Sequence, residues 1–492
     1  MQGQLLTGDS AKKNFTYQFI YQLVILVIPL IVSPYLTRTL GSRALGVYSY
    51  TYSIAYYFVI VAMLGISKHG QRIVAERKSD LLKLRSTVWS LATLHILVSI
   101  AVFFTYLLYA LWISTSDKSV VLAQGIYVFS AVIDFTWLFQ GLEKFKTVVI
   151  RNAVVKVLEC ICIFLFVKSQ EDLVIYTIIM SLSTCLGFII VLPQMISTIK
   201  PIKFIASDLA EHVKPMLVLF VAAVAATLYT VFNKTLLGIL SDVTNVAFYE
   251  YSNKIITIPR TFIVVISTVL YPRSCKIASS GNYKEMRRLS RQSLIVNYFI
   301  GFGAVFGLLA VDDLLAIEYY GREFAICGDI ISAMSPLVLI IGLGEIIRSQ
   351  FIYPLKMDKP MVWILFFNAV VNLALSSILI PRMSVFGAVL GTIVAEILGL
   401  IIEFYICRKY IEIRDFIKMG APFLCTGVTM YVFIKLISQV LQQNLLGLFI
   451  EVIIGAIVYI VISGLYCFFF VDEAKQVISV ITSRLKKKVA KK

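Results

Sequence analysis

The chain has 492 residues, of which 59% are hydrophobic and only 15% charged, and its mean hydropathy is +0.88. Soluble domains carry roughly 45–50% apolar and about 25% charged residues, so an ordinary water-soluble enzyme and a disordered chain are both excluded. The net charge of +17 raises nucleic acid as a partner, but the charge is divided among short segments between apolar runs, and no basic domain exists to bind it.

A helix needs about 20 apolar residues to cross a bilayer. Such segments fall at approximately 15–36, 45–66, 87–113, 121–140, 148–168, 173–193, 214–238, 246–272, 292–311, 324–347, 361–380, 385–407, 419–440 and 446–471. The expected fold is an all-α polytopic membrane protein with about fourteen transmembrane helices. Basic residues gather in alternate connections. Residues 67–86 carry Lys68, Arg72, Arg77, Lys78, Lys83 and Arg85, residues 273–291 carry Arg273, Lys276, Lys284, Arg287, Arg288 and Arg291, and the tail ends in Lys486, Lys487, Lys488, Lys491 and Lys492. Of the 45 Lys and Arg, about 34 then lie on one side and about six on the other, which makes the rich side cytoplasmic. An even number of spans places both termini there. The start does not read as a cleaved signal peptide, because polar residues Gln2 to Asn14 precede a span too long for one. The eight cysteines lie mostly in apolar spans without paired spacing, and the three histidines (His69, His95, His212) are scattered, so no metal site is expected.

The two densest basic connections follow the second and eighth spans, which suggests a six-helix internal repeat. Leu40-Gly41 precedes Tyr48-Ser49-Tyr50-Thr51-Tyr52-Ser53, and Leu237-Gly238 precedes Tyr249-Glu250-Tyr251-Ser252-Asn253-Lys254. Six is even, so the halves form a parallel repeat about an axis along the membrane normal, with a cleft between them suited to alternating access. The expected divisions are an N-lobe at 1–193, a linker at 194–213 with a short interfacial helix, a C-lobe at 214–410, two additional helices at 411–471 and a basic tail at 472–492.

No GxxxxGK[ST] phosphate loop, HExxH or GxSxG occurs. The longest outward connection, 312–323, has Asp312, Asp313, Glu318 and Glu323 but no room for a substrate domain. A transporter is therefore expected, and not an enzyme.

Ionisable residues inside a bilayer are costly and mark function or a partner. Lys254 lies a third of the way down the eighth span, before Pro259, where it either faces an anionic head group or pairs with Glu250 four residues earlier. Asn253 adjoins it. Arg260, six residues on, points to a different face of a straight helix. Lys234 either snorkels or faces the cleft. Arg38 and Arg43 flank the first outer turn, Arg38 as a cleft candidate and Arg43 as a solvated turn residue. Asp134, three residues before Trp137 and on one face with it, either carries a coupling proton or Na⁺ or bonds a neighbouring helix. Glu345 and Arg348 look like a local pair, while Lys156, Glu396, Glu403, Lys435 and Glu451 are ambiguous. Gln18/Gln22 and Asn368/Asn372 meet sugar hydroxyls or hold helices together. A stripe of Tyr48, Tyr52 and Tyr56 stacks on sugars or packs in the core.

The segments Lys13-Asn14-Phe15, Pro34-Tyr35-Leu36-Thr37-Arg38-Thr39-Leu40-Gly41 and Gly46-Val47-Tyr48-Ser49 resemble the bacterial flippases for lipid-linked oligosaccharides. So do Trp137-Leu138-Phe139-Gln140-Gly141-Leu142-Glu143-Lys144-Phe145 and Arg151-Asn152. These are the Wzx-type transporters of O-antigen and capsular polysaccharide, in the multidrug/oligosaccharidyl-lipid/polysaccharide exporter superfamily. The segment from Lys254 to Pro259 is similar to the eighth span of the related lipid II flippases, which carry a functional cation there. The resemblance implies a multi-pass protein of the bacterial cytoplasmic (inner) membrane. It implies a substrate, an undecaprenyl-pyrophosphate-linked oligosaccharide, taken from the cytoplasmic to the outer leaflet for cell-surface polysaccharide synthesis. It also implies membrane lipids as surroundings, and a polysaccharide polymerase and chain-length machinery as partners. Fixed cations in a medium of low dielectric suit a pyrophosphate, which makes Lys254 and Arg38, then Lys234 and Arg260, its expected holders, with Asn253, Gln18 and Gln22 for the sugars. No cofactor is expected beyond a coupling Na⁺ or H⁺. The rival expectations are a lipid II flippase and a Na⁺- or H⁺-coupled multidrug extruder. The excess of cations over acids in the first two spans and in spans seven and eight favours an anionic lipid.

Overall fold

The computed structural model describes residues 8–114, 117–200 and 206–470, with side chains from residue 27 onward except at 145–147, 206–210, 222, 225–226, 228–230 and 415. All regular structure among the described residues is helical, and eleven helical stretches are long and apolar enough to cross a membrane. The chain is a multi-pass membrane protein. It forms two compact units, Met1–Ala247 and Phe248–Lys492.

The first unit begins with α1 (Gly8–Met63), which is two helices meeting at Gly41. Gly41 has φ 75°, a left-handed conformation that only glycine adopts cheaply. Gly65 repeats the device, with φ 76° and a position where a Cβ would lie 2.3 Å from the Met216 carbonyl oxygen. It starts α2 (Ile66–Arg77), which buries Ile66, His69, Gly70, Ile73 and Val74 on one face. The unit continues with α3 (Leu81–Leu108), α4 (Lys118–Ser130), α5 (Thr136–Gly141), α6 (Phe145–Phe166), α7 (Leu173–Ile189), α8 (Leu192–Thr198) and α9 (Ala206–Leu240). Its inner core joins Val74, Leu91, Trp137, Leu138, Phe139 and Met216. Trp137 is fully buried against Gly70, where a Cβ would come within 2.5 Å of the ring.

The second unit holds most of α10 (Val243–Ser279), then α11 (Tyr283–Leu315), α12 (Cys327–Met334), α13 (Pro336–Ile347), α14 (Asp358–Met383), α15 (Val385–Cys407), α16 (Ile413–Ser438) and α17 (Leu445–Phe470). α14 packs extensively on α15. Gly387, Gly391 and Gly399 let the two backbones approach, and a Cβ on Gly387 would sit 2.5 Å from the Leu379 carbonyl carbon. Small residues are how helices pack where lipid supplies no hydrophobic drive.

Several expectations change. The basic connection 67–86 contains the helix α2, whose 66/69–70/73–74 spacing is the helical period. The connection 273–291 is mostly helix, because α10 runs to Ser279 and α11 starts at Tyr283, capped by Asn282 through its bond from the Glu285 N–H at 3.1 Å. Asp312 and Asp313 fall in the last turn of α11 and not in a solvated turn. The first compact unit runs to Ala247, and α9 packs on α1 within it. Ser53 and Tyr57 reach Thr235 at 3.0 and 3.1 Å, and a Cβ on Gly238 would lie 2.1 Å from the Tyr50 ring. The helices α16 and α17 belong to the second unit, and residues 472–492 lie outside the described ones. The two Leu-Gly pairs also differ locally. Gly41 is left-handed, whereas Gly238 is helical and the chain turns three residues later at Ser241.

Candidate functional site

In the first unit a cavity of about 390 Å³ opens among α5, α6 and α7 and the stretch before α5. α4 ends at Ser130, Ala131–Ile133 tighten into a 3₁₀ turn, and Asp134 and Phe135 leave the helical path before α5 begins. Asp134 is extended there, with φ −80° and ψ 93°. It therefore does not share a helix face with Trp137, which the sequence spacing implied. Asp134 Oδ1 instead accepts from the Thr136 N–H at 2.9 Å and the Thr136 hydroxyl at 2.5 Å. This is the local bond by which Asp stabilises a helix start.

Opposite it, α6 presents Arg151, Asn152 and Lys156 at helical spacing. Arg151 is 7% exposed, and its Nε and Nη2 donate to Asn152 Oδ1 at 2.8 and 2.5 Å. Its guanidinium stands 5.5 Å from the centre of the Phe188 ring on α7. Lys156 pairs with the buried Glu159 at 2.8 Å, and Glu159 also accepts from the Ser183 hydroxyl. The tyrosine stripe of α1 packs beside this region. Tyr52 stacks near Tyr48 and Tyr56, with ring centres 6.0 and 6.1 Å away, and meets Tyr127 of α4 at 5.1 Å, while Tyr48 meets Tyr176 of α7 at 4.7 Å.

In the second unit, α10 carries both cation candidates beside an apolar cavity of about 410 Å³. Ile255, Ile258 and Pro259 line it together with residues of α11, α16 and α17, including Gly303, Gly307, Met430 and Tyr459. Lys254, half-buried, places its ammonium 3.9 Å from the centre of the Tyr251 ring one turn back, a cation–π contact. The Tyr251 ring is held edge-on by Tyr320, whose hydroxyl donates to the Tyr251 carbonyl at 2.9 Å. Asn253 accepts the Thr257 hydroxyl on its carbonyl at 2.8 Å. Arg260 is half-buried, with Nε enclosed and bonded to none of the described residues.

The other candidates are distributed as follows. Arg38 and Arg43 are exposed on α1, and Lys234 is half-buried on α9 within electrostatic range of Tyr57. Arg43 helps hold the Asp242 carboxyl below its usual value, after the larger effect of the Thr244 hydroxyl and N–H that donate to it at 2.6 and 2.8 Å. Gln18 and Gln22 lie on α1, and their side chains are outside the described ones. Asn372 and Ser376 are bonded to each other at 3.0 Å and Asn372 to Thr392 at 3.3 Å, so these polar groups join α14 to α15.

Sequence spacing alone missed the partners supplied by distant helices. Arg348 meets Glu345 at 3.4 Å as the local pair expected, but meets Glu403 of α15 more closely, at 2.9 Å. Lys435 of α16 pairs with Asp312 of α11 at 3.5 Å, and Asp312 accepts from the Ser332 hydroxyl at 2.6 Å. The cavity residues Gln140, Arg151, Asn152 and Phe188 were not singled out as binding groups. The signal of Gln140, Arg151 and Asn152 was present as polar residues spaced along otherwise apolar segments.

A family profile described as polysaccharide biosynthesis protein matches residues 11–278. A Shigella dysenteriae protein named for O-antigen transport is 24% identical over 393 residues, covering 79% of this chain and 97% of the relative. A Haloferax volcanii protein named as a flippase of low-salt glycan biosynthesis is 21% identical over 254 residues, covering 50% of this chain and 52% of that one. Among solved structures, a lipid II flippase in an inward closed conformation superimposes with a TM-score of 0.75 at 15% identity, covering 92% of this chain and 98% of the other. A structure of MATE in complex with MaD3S gives 0.53 at 12% identity, covering 81% and 95%. These likenesses show a shared fold.

Proposed function

The chain belongs to the polysaccharide biosynthesis protein family, and from that premise we propose that it is a flippase. It moves an undecaprenyl-pyrophosphate-linked oligosaccharide from the cytoplasmic to the outer leaflet by alternating access, for synthesis of O-antigen or a similar surface glycan. The observation that carries this is the arrangement of α10. Ile255, Ile258 and Pro259 face an apolar cavity of about 410 Å³, and Lys254 and Arg260 flank that stretch in the same helix. A lipid phosphate needs this combination, an apolar trough for the chain and fixed cations for the head. In a low-dielectric setting the cations attract the pyrophosphate strongly. Arg38 and Lys234 are further pyrophosphate candidates in the first unit.

The protein crosses the bacterial inner membrane about fourteen times, with both termini in the cytoplasm where the basic residues collect. No nucleotide-binding loop occurs in the sequence, so a Na⁺ or H⁺ gradient, the membrane potential or downhill consumption of the product drives the cycle. Moving one charge through the potential is worth about 2.3 kcal/mol per 100 mV. The polymerase and chain-length machinery that consume the delivered repeat unit are its partners.

The test is delivery of lipid-linked oligosaccharide across sealed vesicles that contain the purified protein, beside drug efflux from the same vesicles. Protein-dependent delivery without drug movement supports the flippase. Drug movement without delivery identifies a multidrug extruder. Delivery of lipid II in preference to the oligosaccharide lipid identifies a peptidoglycan-precursor flippase.

A further inference from the structure

We propose that the polar cavity among α5, α6 and α7 is a sugar-recognition site that holds a glycosyl residue of the carried glycan. The inference rests on the flippase function proposed above, and it assigns substrate contacts to Gln140, Asn152, Arg151 and Phe188, none of which belongs to the pyrophosphate or tail contacts.

The size fits. About 390 Å³ lies within the ordinary range of small-molecule pockets, roughly 300–1,000 Å³. The lining selects the chemistry. Arg151 and Lys156 are fixed cations, which disfavour a mobile metal cation. Asp134 presents a carboxylate to the same space, which disfavours a bare phosphate. What remains is a neutral, hydroxyl-rich ring able to donate to Asp134 and to accept from the nitrogens. The Gln140 amide offers donor and acceptor together, as adjacent ring hydroxyls require, while the Asn152 oxygen accepts from Arg151 and holds that guanidinium at the cavity wall. The Gln140 amide is not engaged by the described side chains. Phe188 adds an aromatic face, which covers the C–H side of a ring.

The site is also held rigid before any ligand arrives. Arg151 is locked onto Asn152 and over Phe188, Lys156 onto Glu159, and Glu159 onto Ser183. Polar groups already fixed lose little freedom when a ligand binds. A coupling-ion site would require an anionic centre in excess of local cations, and here Asp134 and Glu159 are matched by Arg151 and Lys156.

The experiment uses the full chain in detergent and three probes. The first is the lipid-linked glycan extracted from the cells that make it. The second is the free glycan released from it by mild acid, and the third is undecaprenyl pyrophosphate without sugar. The wild-type protein is expected to bind the free glycan measurably, and to bind the intact lipid at least tenfold more tightly than the sugarless one. Gln140→Ala is expected to weaken free-glycan binding at least tenfold, and Asn152→Ala to do the same. Gln140 is half-exposed and supports no other side chain, so its variant keeps the test valid if Asn152→Ala fails to fold. Sugarless lipid that binds wild type while the free glycan does not, or free glycan that binds Gln140→Ala as well as wild type, overturns the sugar site and leaves the flippase standing. No binding of intact or sugarless lipid overturns the flippase as well. Variants that change only the Na⁺ or pH dependence of transport reassign the cavity to ion coupling.

Discussion

Arg348 Nη1, at the end of α13, donates to Glu403 Oε1 on α15 at 2.9 Å, where Glu403 is only 1% exposed. The same guanidinium reaches Glu345 at 3.4 Å, so one cation serves a local acid and a distant one. The distant bond ties two helices of the second unit through a charge that neither could bury alone. Removing one partner of a buried pair costs about 3–5 kcal/mol, whereas replacing both with apolar residues is often neutral. Arg348→Ala is expected to lower the melting temperature of the purified protein sharply, and the double change Arg348→Met with Glu403→Leu to restore most of it. Equal losses in the single and double variants would contradict this account.

Lys254 is positioned by the Tyr251 ring, 3.9 Å from its ammonium. Lys254→Ala is expected to abolish glycolipid delivery in vesicles while leaving the amount of membrane-inserted protein unchanged. Tyr251→Phe keeps the ring and should retain delivery. Tyr251→Leu removes it, and a contact of this kind is worth about 0.5–2 kcal/mol, so delivery should fall several-fold. Normal delivery by Lys254→Ala would remove it from the substrate path.

The apolar cavity beside α10 gives a test of the lipid chain. A Cβ on Gly307 would meet only Met430 Cε, at an ordinary 3.7 Å, so a larger residue there occupies the cavity without disturbing backbone. Gly307→Leu is expected to leave the melting temperature within a few degrees of wild type and to reduce delivery of long polyprenyl carriers more than of short ones. Equal effects on carriers of both lengths would show that the chain does not enter.

Asp242 caps α10, and its carboxyl is held below the usual aspartate value, chiefly by the Thr244 hydroxyl and N–H, with Arg43 adding to the effect. A lowered folded-state pKa stabilises the fold above the ordinary value, and that stabilisation is lost as pH falls through the lowered one. Thr244→Val removes the hydroxyl bond. The variant should melt below wild type at neutral pH, by no more than ~1 kcal/mol for a largely solvated cap, and the gap should close at the acid end. A gap independent of pH would place the effect elsewhere.

Gly387 lies where a Cβ would strike the backbone of Leu379 and Ile380 at 2.5–2.6 Å. Backbone cannot turn aside as a side chain can, so Gly387→Val is expected to cost at least the ~1–3 kcal/mol of core overpacking. Loss of folded protein in a detergent melt checks it, and wild-type melting would show that α14 and α15 separate easily.

The sequence by itself determined the all-helical, multi-pass character and the cations along α10. Lipid offers no hydrogen bonds to a backbone, so long apolar runs must be helical, and the helical period makes neighbours of residues three and four apart. That is why Glu345 beside Arg348 was legible. Tertiary structure decided what the period does not reach. It selected Glu403 for Arg348 and Asp312 for Lys435, placed α9 with the first unit, and broke the helix at Asp134 so that its carboxylate opens on a polar cavity instead of following Trp137 into the core. Each of these depends on which helices lie side by side. Where so many long helices are apolar, composition does not rank the possible neighbours. Close packing at small residues, and the need of each buried charge for an opposite one, select among them.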